Sequence, residues 1–299
     1  MSVARRQRLS KLERRALPSI YLFLLPTLVI FLVFYLTPII TVFITAFTNW
    51  DGFNSPKYAG FANFTRLFGR ESFLYALRNL SLWGVIAMTL HVLIGVVVAF
   101  LMFDKFWGWK FVRAVYMIPN VISAAAWAMI YRFVFNNDYG LLNNIIRLVK
   151  PGFSVNWFFE SPAAFGAVTY TWLFYAVIVS LLVLADLMAV PQELYEAAYI
   201  DGADGFQVTR FIKLPLCRNS IGTAIICSGT ARISMFESIA LTTRGGPGND
   251  TMNLPILLVN SITDMRYGMA NAVGVIMFVI GILLLLFVKR TFRLNDPMY

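Results

Sequence analysis

The chain has 299 residues, of which 59% are hydrophobic and 13% are charged, and its mean hydropathy is +0.70. Soluble domains carry about 25% charged residues, so this composition excludes an ordinary soluble protein and indicates an integral membrane protein. The formal net charge is +10, but the basic residues flank apolar runs, where they set orientation and contact anionic lipid headgroups. We therefore expect no nucleic-acid binding.

A basic stretch precedes the first apolar run. It holds Arg5, Arg6, Arg8, Lys11, Arg14 and Arg15. The apolar run after it is too long for the core of a signal peptide, and further runs follow, so we interpret it as a retained first span. This predicts a basic cytoplasmic tail over residues 1–16, a transmembrane domain over 17–290, and a cytoplasmic tail over 291–299.

Six apolar runs are each long enough to cross a bilayer, which takes about 20 residues in a helix. They lie at residues 19–47, 77–103, 111–135, 163–188, 218–241 and 269–289. The predicted fold class is therefore an all-α integral membrane protein with about six transmembrane helices. Pro26, Pro38 and Pro119 fall inside these runs, where we expect kinks, because proline removes a backbone donor.

The distribution of Lys and Arg predicts the orientation of the chain. Placing the amino terminus in the cytoplasm puts more of these residues on the cytoplasmic side, as the positive-inside rule requires. Both termini are then cytoplasmic. The polar segment between the fourth and fifth runs, residues 191–215, also faces the cytoplasm, and we call it the hook.

The hook is predicted to form helix, turn and helix. Pro191 is suited to open the first helix, and Glu193 and Glu196 suit the positive end of its dipole. Gly202 can take the left-handed conformation that ends a helix. A second short helix is predicted over residues 206–212, ended by Leu214-Pro215.

Three functions remain open for the hook on physical grounds alone. Ala197 and Ala198 are small, so another protein surface can approach the backbone closely, which favours a docking element. The alternatives are an amphipathic pair lying on the bilayer surface, as many such loops do, and simple linkage. The first helix offers alanines and acids rather than the large apolar residues and cations of a surface anchor.

The hook resembles the signature of the permease subunits of bacterial ATP-binding-cassette importers. That signature reads Glu-Ala-Ala, three residues, Gly, nine residues, then Ile-x-Leu-Pro. The chain matches it at Glu196, Ala197, Ala198, Gly202, Ile212, Leu214 and Pro215. Asp201 and Ala203 complete a longer Asp-Gly-Ala form, which resembles the carbohydrate-uptake branch, similar to the maltose and glycerol-phosphate systems.

The resemblance extends over most of the chain. Further matches are Pro26, residues 58–64, Arg113 with Ile118-Pro119, residues 140–143 and residues 241–247. The chain departs from the family pattern at Asp186, Met188, Thr209 and Glu237. The long amino terminus and complete first span are similar to those of the first of the two sugar permeases.

The resemblance implies a mechanism and a set of partners. The hook would be a coupling helix that docks on a separate cytoplasmic ATPase, and closure of two ATPases would switch the spans between inward-open and outward-open states. The implied partners are a second, homologous permease subunit in a heterodimer, two ATP-binding-cassette ATPases, an extracytoplasmic solute-binding protein, a sugar and membrane lipid. ATP and Mg would be cofactors of the ATPase, with none bound by this chain.

The sequence holds no element for hydrolysing ATP or for other catalysis. No GxxxxGK[ST] pattern occurs, and the glycines at 245–248 are not followed by Lys-Ser/Thr, so they are expected to form a turn. There is no Ser-His-Asp set and no His-Glu-x-x-His. We therefore expect a translocation subunit rather than an enzyme.

Ionisable residues at membrane depth predict functional positions, because they are costly to bury there. Arg232 and Glu237 lie in the fifth run, five positions apart and on different helix faces. Ser228 and Ser234 are their polar neighbours at helical spacing. These four residues are candidates for the translocation path, and the alternative is a structural pair or an interfacial end.

The remaining polar residues of the spans carry weaker signals. Asp186 is interpreted as an interfacial carboxylate, with a coupling role as the alternative. His91 is the single histidine, and we expect no metal site around it, because no further ligands are spaced for one. Cys217 and Cys227 are expected to be free, buried thiols.

Two other classes of protein are competing hypotheses. A stand-alone ion-coupled transporter would have paired carboxylates in the membrane and an unwound helix near its midplane, but no hook for a partner. A membrane enzyme acting on lipid-linked sugars would need convergent catalytic groups, which the sequence does not show.

Overall fold

The computed structural model describes the backbone of residues 11–292 and the side chains of residues 18–292 other than that of residue 119. Arg5, Arg6 and Arg8 of the predicted basic tail, and residues 293–299 of the predicted carboxy-terminal tail, lie outside the described residues. The predicted domain limits at 16 and 290 remain predictions.

The first part of the described chain forms two long helical stretches joined by a short hairpin. Its elements are α1 (Lys11–Phe31), a π turn (Leu32–Leu36), α2 (Thr37–Thr45), β1 (Thr48–Asn49), β2 (Lys57–Tyr58), α3 (Ala62–Phe68), α4 (Glu71–Ile86), a second π turn (Ala87–His91) and α5 (Val92–Phe103). The two strands pair antiparallel, with Thr48 opposite Tyr58.

The middle part carries shorter helices. Its elements are α6 (Trp109–Met117), a 3-10 turn (Ile118–Val121), α7 (Ala124–Val134), α8 (Leu141–Val149), α9 (Ala163–Leu173) and α10 (Val177–Ala189).

The last part contains the hook and two further spanning stretches. Its elements are α11 (Gln192–Ile200), α12 (Gly205–Val208), a third π turn (Thr209–Lys213), α13 (Leu214–Leu216), α14 (Arg218–Ile233), α15 (Glu237–Ala240), α16 (Leu254–Thr263) and α17 (Tyr267–Phe292).

Four of these helical stretches are long and apolar enough to cross a membrane. They are Pro18–Thr45, Glu71–Phe103, Ala163–Ala189 and Tyr267–Phe292. The predicted helical membrane fold is confirmed, but three of the six predicted spans are interrupted. The run 111–135 is divided by the 3-10 turn at Ile118–Val121, the run 163–188 is interrupted between Leu173 and Val177, and the run 218–241 is interrupted after Ile233.

Proline accounts for two of the irregular points. Pro38 offers no N–H to the preceding turn, and the first π turn lies directly before it. Thr37 Oγ1 donates to Leu32 O at 2.9 Å, which also accepts from the Thr37 backbone N–H. The 3-10 turn contains Pro119, as expected, whereas Pro26 lies within the unbroken α1.

The bundle has two buried clusters, one toward each end. The cluster at what we call the hook end, where α5 and α10 finish, centres on Val96, Val183 and Leu187. The cluster at the far end, beside the hairpin and α3, centres on Phe73, Trp83 and Leu254. Each joins helices that are distant in sequence, as a helix bundle requires.

Helices α5 and α10 approach closely at one glycine. A Cβ on Gly95 would lie 2.5 Å from the Cβ of Val179. Ser180 Oγ donates to the carbonyl oxygen of Gly95 at 2.9 Å. Small residues and interhelical hydrogen bonds are typical of packing between membrane helices, and here they hold the second span against the fourth.

Candidate functional site: the hook and an arginine-lined recess

The first helix of the hook ends in a Schellman motif that the sequence encodes. Gly202 has φ +85°, the left-handed conformation that favours glycine. Its N–H donates to Tyr199 O at 3.1 Å, and Ala203 N–H donates to Ala198 O at 3.0 Å. These are the two bonds of the motif, so the predicted helix stop at Gly202 is confirmed.

The second arm begins with a capping box and differs from the prediction. The Asp204 side chain accepts from Gln207 N at 2.7 Å, while Gln207 Oε1 accepts from Asp204 N at 2.8 Å. The helix does not stop at Leu214-Pro215: it continues through the third π turn and α13 to the start of α14 at Arg218. Pro215 lies inside this continuing stretch, two residues after the third π turn ends at Lys213, much as Pro38 follows the first π turn.

The residues predicted to contact an ATPase lie on both arms of the hook. Glu196, Ala197, Asp201, Gly202, Leu214 and Pro215 are exposed, whereas Ala198, Ala203 and Ile212 are half-buried. Glu196 Oε1 accepts from Gln192 Nε2 at 2.8 Å, one helical turn earlier. The structure places Glu196 to Ala203 around one turn and the other three residues on the continuing arm.

Large apolar side chains at the hook surface were missed by the sequence analysis. They are Leu194, Tyr199, Ile200, Phe206 and Phe211, all exposed. The first helix therefore offers large apolar residues as well as alanines and acids. Each of the five stands in a polar segment, which is the signal that would have identified them. An exposed apolar surface of this kind is typical of a contact with another protein or with the membrane.

Arg232 lies in a recess within the bundle and stacks on an aromatic ring. Its Cζ is 4.1 Å from the ring centroid of Trp172, and Nη1 donates to Met235 Sδ at 3.5 Å. The Nε of Arg232 and the Nε1 of Trp172 are buried without a hydrogen-bond partner in the described part of the chain. A buried cation without an acidic partner is costly, so this position is a functional candidate.

The recess beside Arg232 has a volume of about 140 Å³. Ser228 lines it together with Asn120, Tyr175 and His91. His91 Nδ1 is 2.8 Å from Leu173 O, so this histidine is held by the backbone. Tyr175 Oη donates to Asn120 Oδ1 at 3.3 Å. Hydroxyl, amide and guanidinium groups therefore converge on one small space.

Glu237 and Ser234 lie apart from the recess. The helix is interrupted between Ile233 and Glu237, so Ser234 and Glu237 do not share a continuous helical stripe as predicted. Ser234 Oγ donates to Thr230 O at 3.4 Å instead. Among residues 18–292 no ion pair joins Arg232 to Glu237, which fits their predicted placement on different faces.

Asp186, Cys217 and Cys227 are the other residues for which the sequence made a prediction. Ser220 Oγ donates to Asp186 Oδ2, which joins α14 to α10 at the hook end. Cys217 is buried, as expected, but Cys227 is exposed, so that half of the prediction is wrong. Both thiols are free. Within the described residues no group of His, Cys, Asp and Glu is arranged to hold a metal.

The chain matches a known family over most of its length. A model of the family described as "Binding-protein-dependent transport system inner membrane component" matches residues 91–297. That range contains the hook and Arg232.

Curated relatives cover nearly the whole chain. The trehalose/maltose transport system permease protein MalF of Thermococcus litoralis is 31% identical, over 91% of this chain and 92% of that protein. The diacetylchitobiose uptake system permease protein NgcF of Streptomyces coelicolor is 34% identical, over 90% of this chain and 79% of that protein.

Solved structures share the fold. A bacterial ABC transporter involved in the import of the acidic polysaccharide alginate contains a chain with a TM-score of 0.77, at 23% identity, covering 95% of this chain and 99% of that one. At that identity the likeness shows the fold. Together with the family match and the relatives, it shows that the chain is a multi-pass membrane protein belonging to the family of binding-protein-dependent transport system inner membrane components.

Proposed function

We propose that this chain is the membrane-spanning subunit of an ATP-driven importer that carries a carbohydrate into the cytoplasm by alternating access. The family and the sugar permeases named above support the class of solute. The observation that carries the coupling role is the hook, a locally capped helical turn that presents apolar side chains and Glu196 between two spans.

The proposed partners follow from surfaces that the described chain leaves uncovered. The hook would dock on one of two cytoplasmic ATPases, which supply ATP, Mg and hydrolysis. Every residue from Pro18 to Thr41 is exposed, which fits contact with lipid and with a second, homologous permease subunit. The far end, in this orientation, faces an extracytoplasmic binding protein, and both termini are cytoplasmic.

Within the bundle, the recess beside Arg232 and Ser228 is the proposed part of the translocation path. Sugars are bound by a few placed polar groups and by aromatic surfaces, as small-molecule sites generally are. The recess offers both. None of the relatives and structures named above is an ion-coupled transporter, so nothing favours that alternative.

The experiment that tests the coupling role uses two glycines of the hook. A Cβ at Gly202 or at Gly205 would meet no atom within 4 Å, but only Gly202 of the two has a positive φ. Gly202→Ala therefore strains the turn by about 1 kcal/mol, while Gly205→Ala leaves it unstrained. Gly202→Asp causes the same backbone strain and also introduces a negative charge.

Each variant is tagged and extracted gently from native membranes, and the copurifying proteins are identified. We expect wild type and Gly205→Ala to retain an ATPase and a second permease, Gly202→Ala to retain less ATPase, and Gly202→Asp to lose it. If Gly202→Asp still copurifies with the ATPase at the wild-type level, the hook is not the docking element. A hook that merely lies on the bilayer would give that result.

A further inference from the structure

Both arms of the hook meet the last residues of α5. The Lys213 ammonium, from the second arm, is 2.5 Å from Asp104 Oδ1 and 5.0 Å from the ring centroid of Phe103. The Tyr195 ring, from the first arm, packs edge-on against the same Phe103 ring with centroids 5.7 Å apart. We call these four residues, Phe103, Asp104, Tyr195 and Lys213, the clamp.

The clamp combines two features that are unfavourable locally. Asp104 is the C-cap of α5, where a carboxylate faces the negative end of the helix dipole. Lys213 ends a π turn, a rare form that is frequent at functional sites, and its side chain is only 6% exposed. Each feature is explained by the other, because the π turn brings the ammonium to the carboxylate.

Beside the clamp, the first arm of the hook borders open space. A cavity of about 710 Å³ lies between α11, the end of α10, α6 and the loop after α5. The clamp residues and Glu196 line it. Because this space is not filled by packed side chains, the clamp supplies the direct contact through which a displacement of the first arm can reach the end of α5.

Helix α5 leads from the clamp to the recess. It begins directly after the π turn Ala87–His91, and His91 lines the recess beside Arg232. Within its first turn, α5 is held against α10 by the close approach of Gly95 to Val179. A rigid helix therefore connects the hook to a wall of the recess, as rigid-body transmission of a movement requires.

We propose that the clamp is a positioning device that transmits ATP-driven displacement of the hook through α5 to the recess. This inference rests on the proposed function and deepens it. The Lys213–Asp104 pair acts through position only, since neither residue lines the recess or carries one of the signature positions of the hook. An ordinary structural ion pair would contribute to stability but would leave the recess responsive to ATP.

Cys227 supplies a native reporter of the recess, because it is exposed and lines that space. The test uses the complex that copurifies with the tagged full chain. The rate of N-ethylmaleimide modification is measured at Cys227 without nucleotide and after trapping with ATP and vanadate. Cys217 is buried and is replaced by serine throughout. We expect the wild-type rate to change about fivefold, the order of a typical coupling between sites.

Three changes address the clamp. Lys213→Met and Asp104→Asn each remove one charge, and the exchange Lys213→Asp with Asp104→Lys restores a pair. Both single variants should retain the ATPase while the ATP-dependent change in rate falls to less than half of the wild-type change, and the exchange should recover part of it. Asp104→Asn keeps the side-chain size and covers the case in which Lys213→Met does not fold.

Lys105→Met is the matched control, since Lys105 lines the same cavity and has no ion pair among the described residues. It should respond to ATP as wild type does. If both single variants keep the full response, or if wild type binds the ATPase but shows no response, the clamp proposal is overturned. Failure of wild type to bring down any ATPase would instead refute the proposed function.

Discussion

Two of the polar segments that contain glycine and lie between apolar helices, the hook and the turn at residues 241–253, are built in opposite ways. In the far-end turn, residues 241–253, polar groups are buried and bonded to each other: Thr251 Oγ1 lies 2.6 Å from Thr243 Oγ1 and 2.7 Å from Gly246 O. In the hook, local caps hold the helix ends, Lys213 is bonded to Asp104 of the clamp, and large apolar side chains remain exposed. The far-end turn forms its hydrogen bonds within the chain, whereas the hook leaves large apolar side chains uncovered by the described residues.

Burial and exposure of the side chains distinguish a structural loop from a docking loop. Burial of the far-end turn removes its polar groups from water, so every bond there contributes to folding. The exposed side chains of the hook, unlike the buried Tyr195, Val208 and Lys213, contribute little to folding of the isolated chain. Substitutions at the far end should therefore act on stability, and substitutions in the hook should act on association.

The largest effect is expected at Gly268, where α17 passes the hairpin. A Cβ there would lie 2.0 Å from the backbone carbonyl oxygen of Thr48, and a backbone atom cannot swing away. Gly268→Ala should lower the free energy of unfolding by about 3 kcal/mol. Thermal melting of the purified protein in detergent measures the loss.

Gly274→Ala on the same helix is the control for this change. Its Cβ would meet Val42 Cγ1 at 3.6 Å, an ordinary contact. We expect its melting temperature to stay close to that of wild type. Equal melting temperatures for the two variants would mean that the backbone around Gly268 shifts to relieve the clash. The far end would then be less rigid than its buried hydrogen bonds indicate.

A smaller loss of stability is expected at Asn79, which fastens the far-end turn to α4. Its Nδ2 lies within 3.3 Å of the carbonyl oxygens of Asn249, Asp250 and Met252. Asn79→Ala leaves these acceptors without their donor and should lower the free energy of unfolding by about 2 kcal/mol. Asn260→Ala, which removes an exposed amide from α16, should leave the melting temperature unchanged.

The sequence predicts the spans and the first arm of the hook, but it does not predict the end of the second arm or the clamp. Hydropathy located the spanning stretches, and the Pro191 and Gly202 signals located α11, because both depend on local chemistry. The continuation of the second arm past Pro215 was missed, because a proline after a short helical pattern usually indicates that the helix ends. The clamp was also missed, because 109 residues separate Asp104 from Lys213.

The next effect is expected at Arg232, whose buried Nε has no hydrogen-bond partner in the described part of the chain. Arg232→Met keeps apolar contact with Trp172 and removes a buried cation that has no acidic partner among residues 18–292. It should raise the free energy of unfolding by about 1 kcal/mol while uptake falls, as is usual when a functional group is replaced by a better-packed one.

Thermal melting and uptake of a panel of radiolabelled oligosaccharides measure the two effects of Arg232→Met. Arg132→Met on α7 is the control, because that arginine is exposed and should change neither quantity. A variant of Arg232 that melts lower and transports normally would show that the guanidinium is a structural group, and would remove the recess from the proposed path.

The smallest effect on stability, with a clear effect on association, is expected at Ile200. This side chain ends α11 and is 85% exposed, and Leu148 of α8 is 84% exposed. Ile200→Ser and Leu148→Ser should each change the free energy of unfolding by less than about 0.5 kcal/mol. The two sites differ only in which segment presents them, since α8 lies outside the hook.

Copurification separates the two serine variants. Burial of an isoleucine side chain in a partner surface contributes about 1.5 kcal/mol or more, so Ile200→Ser should reduce ATPase binding about tenfold, while Leu148→Ser should not reduce it. Equal binding by both variants would mean that the exposed apolar side chains of the hook face lipid. Loss of ATPase binding in Ile200→Ser alone would show that the exposed hook surface is used in docking, because no packing inside the chain depends on this side chain.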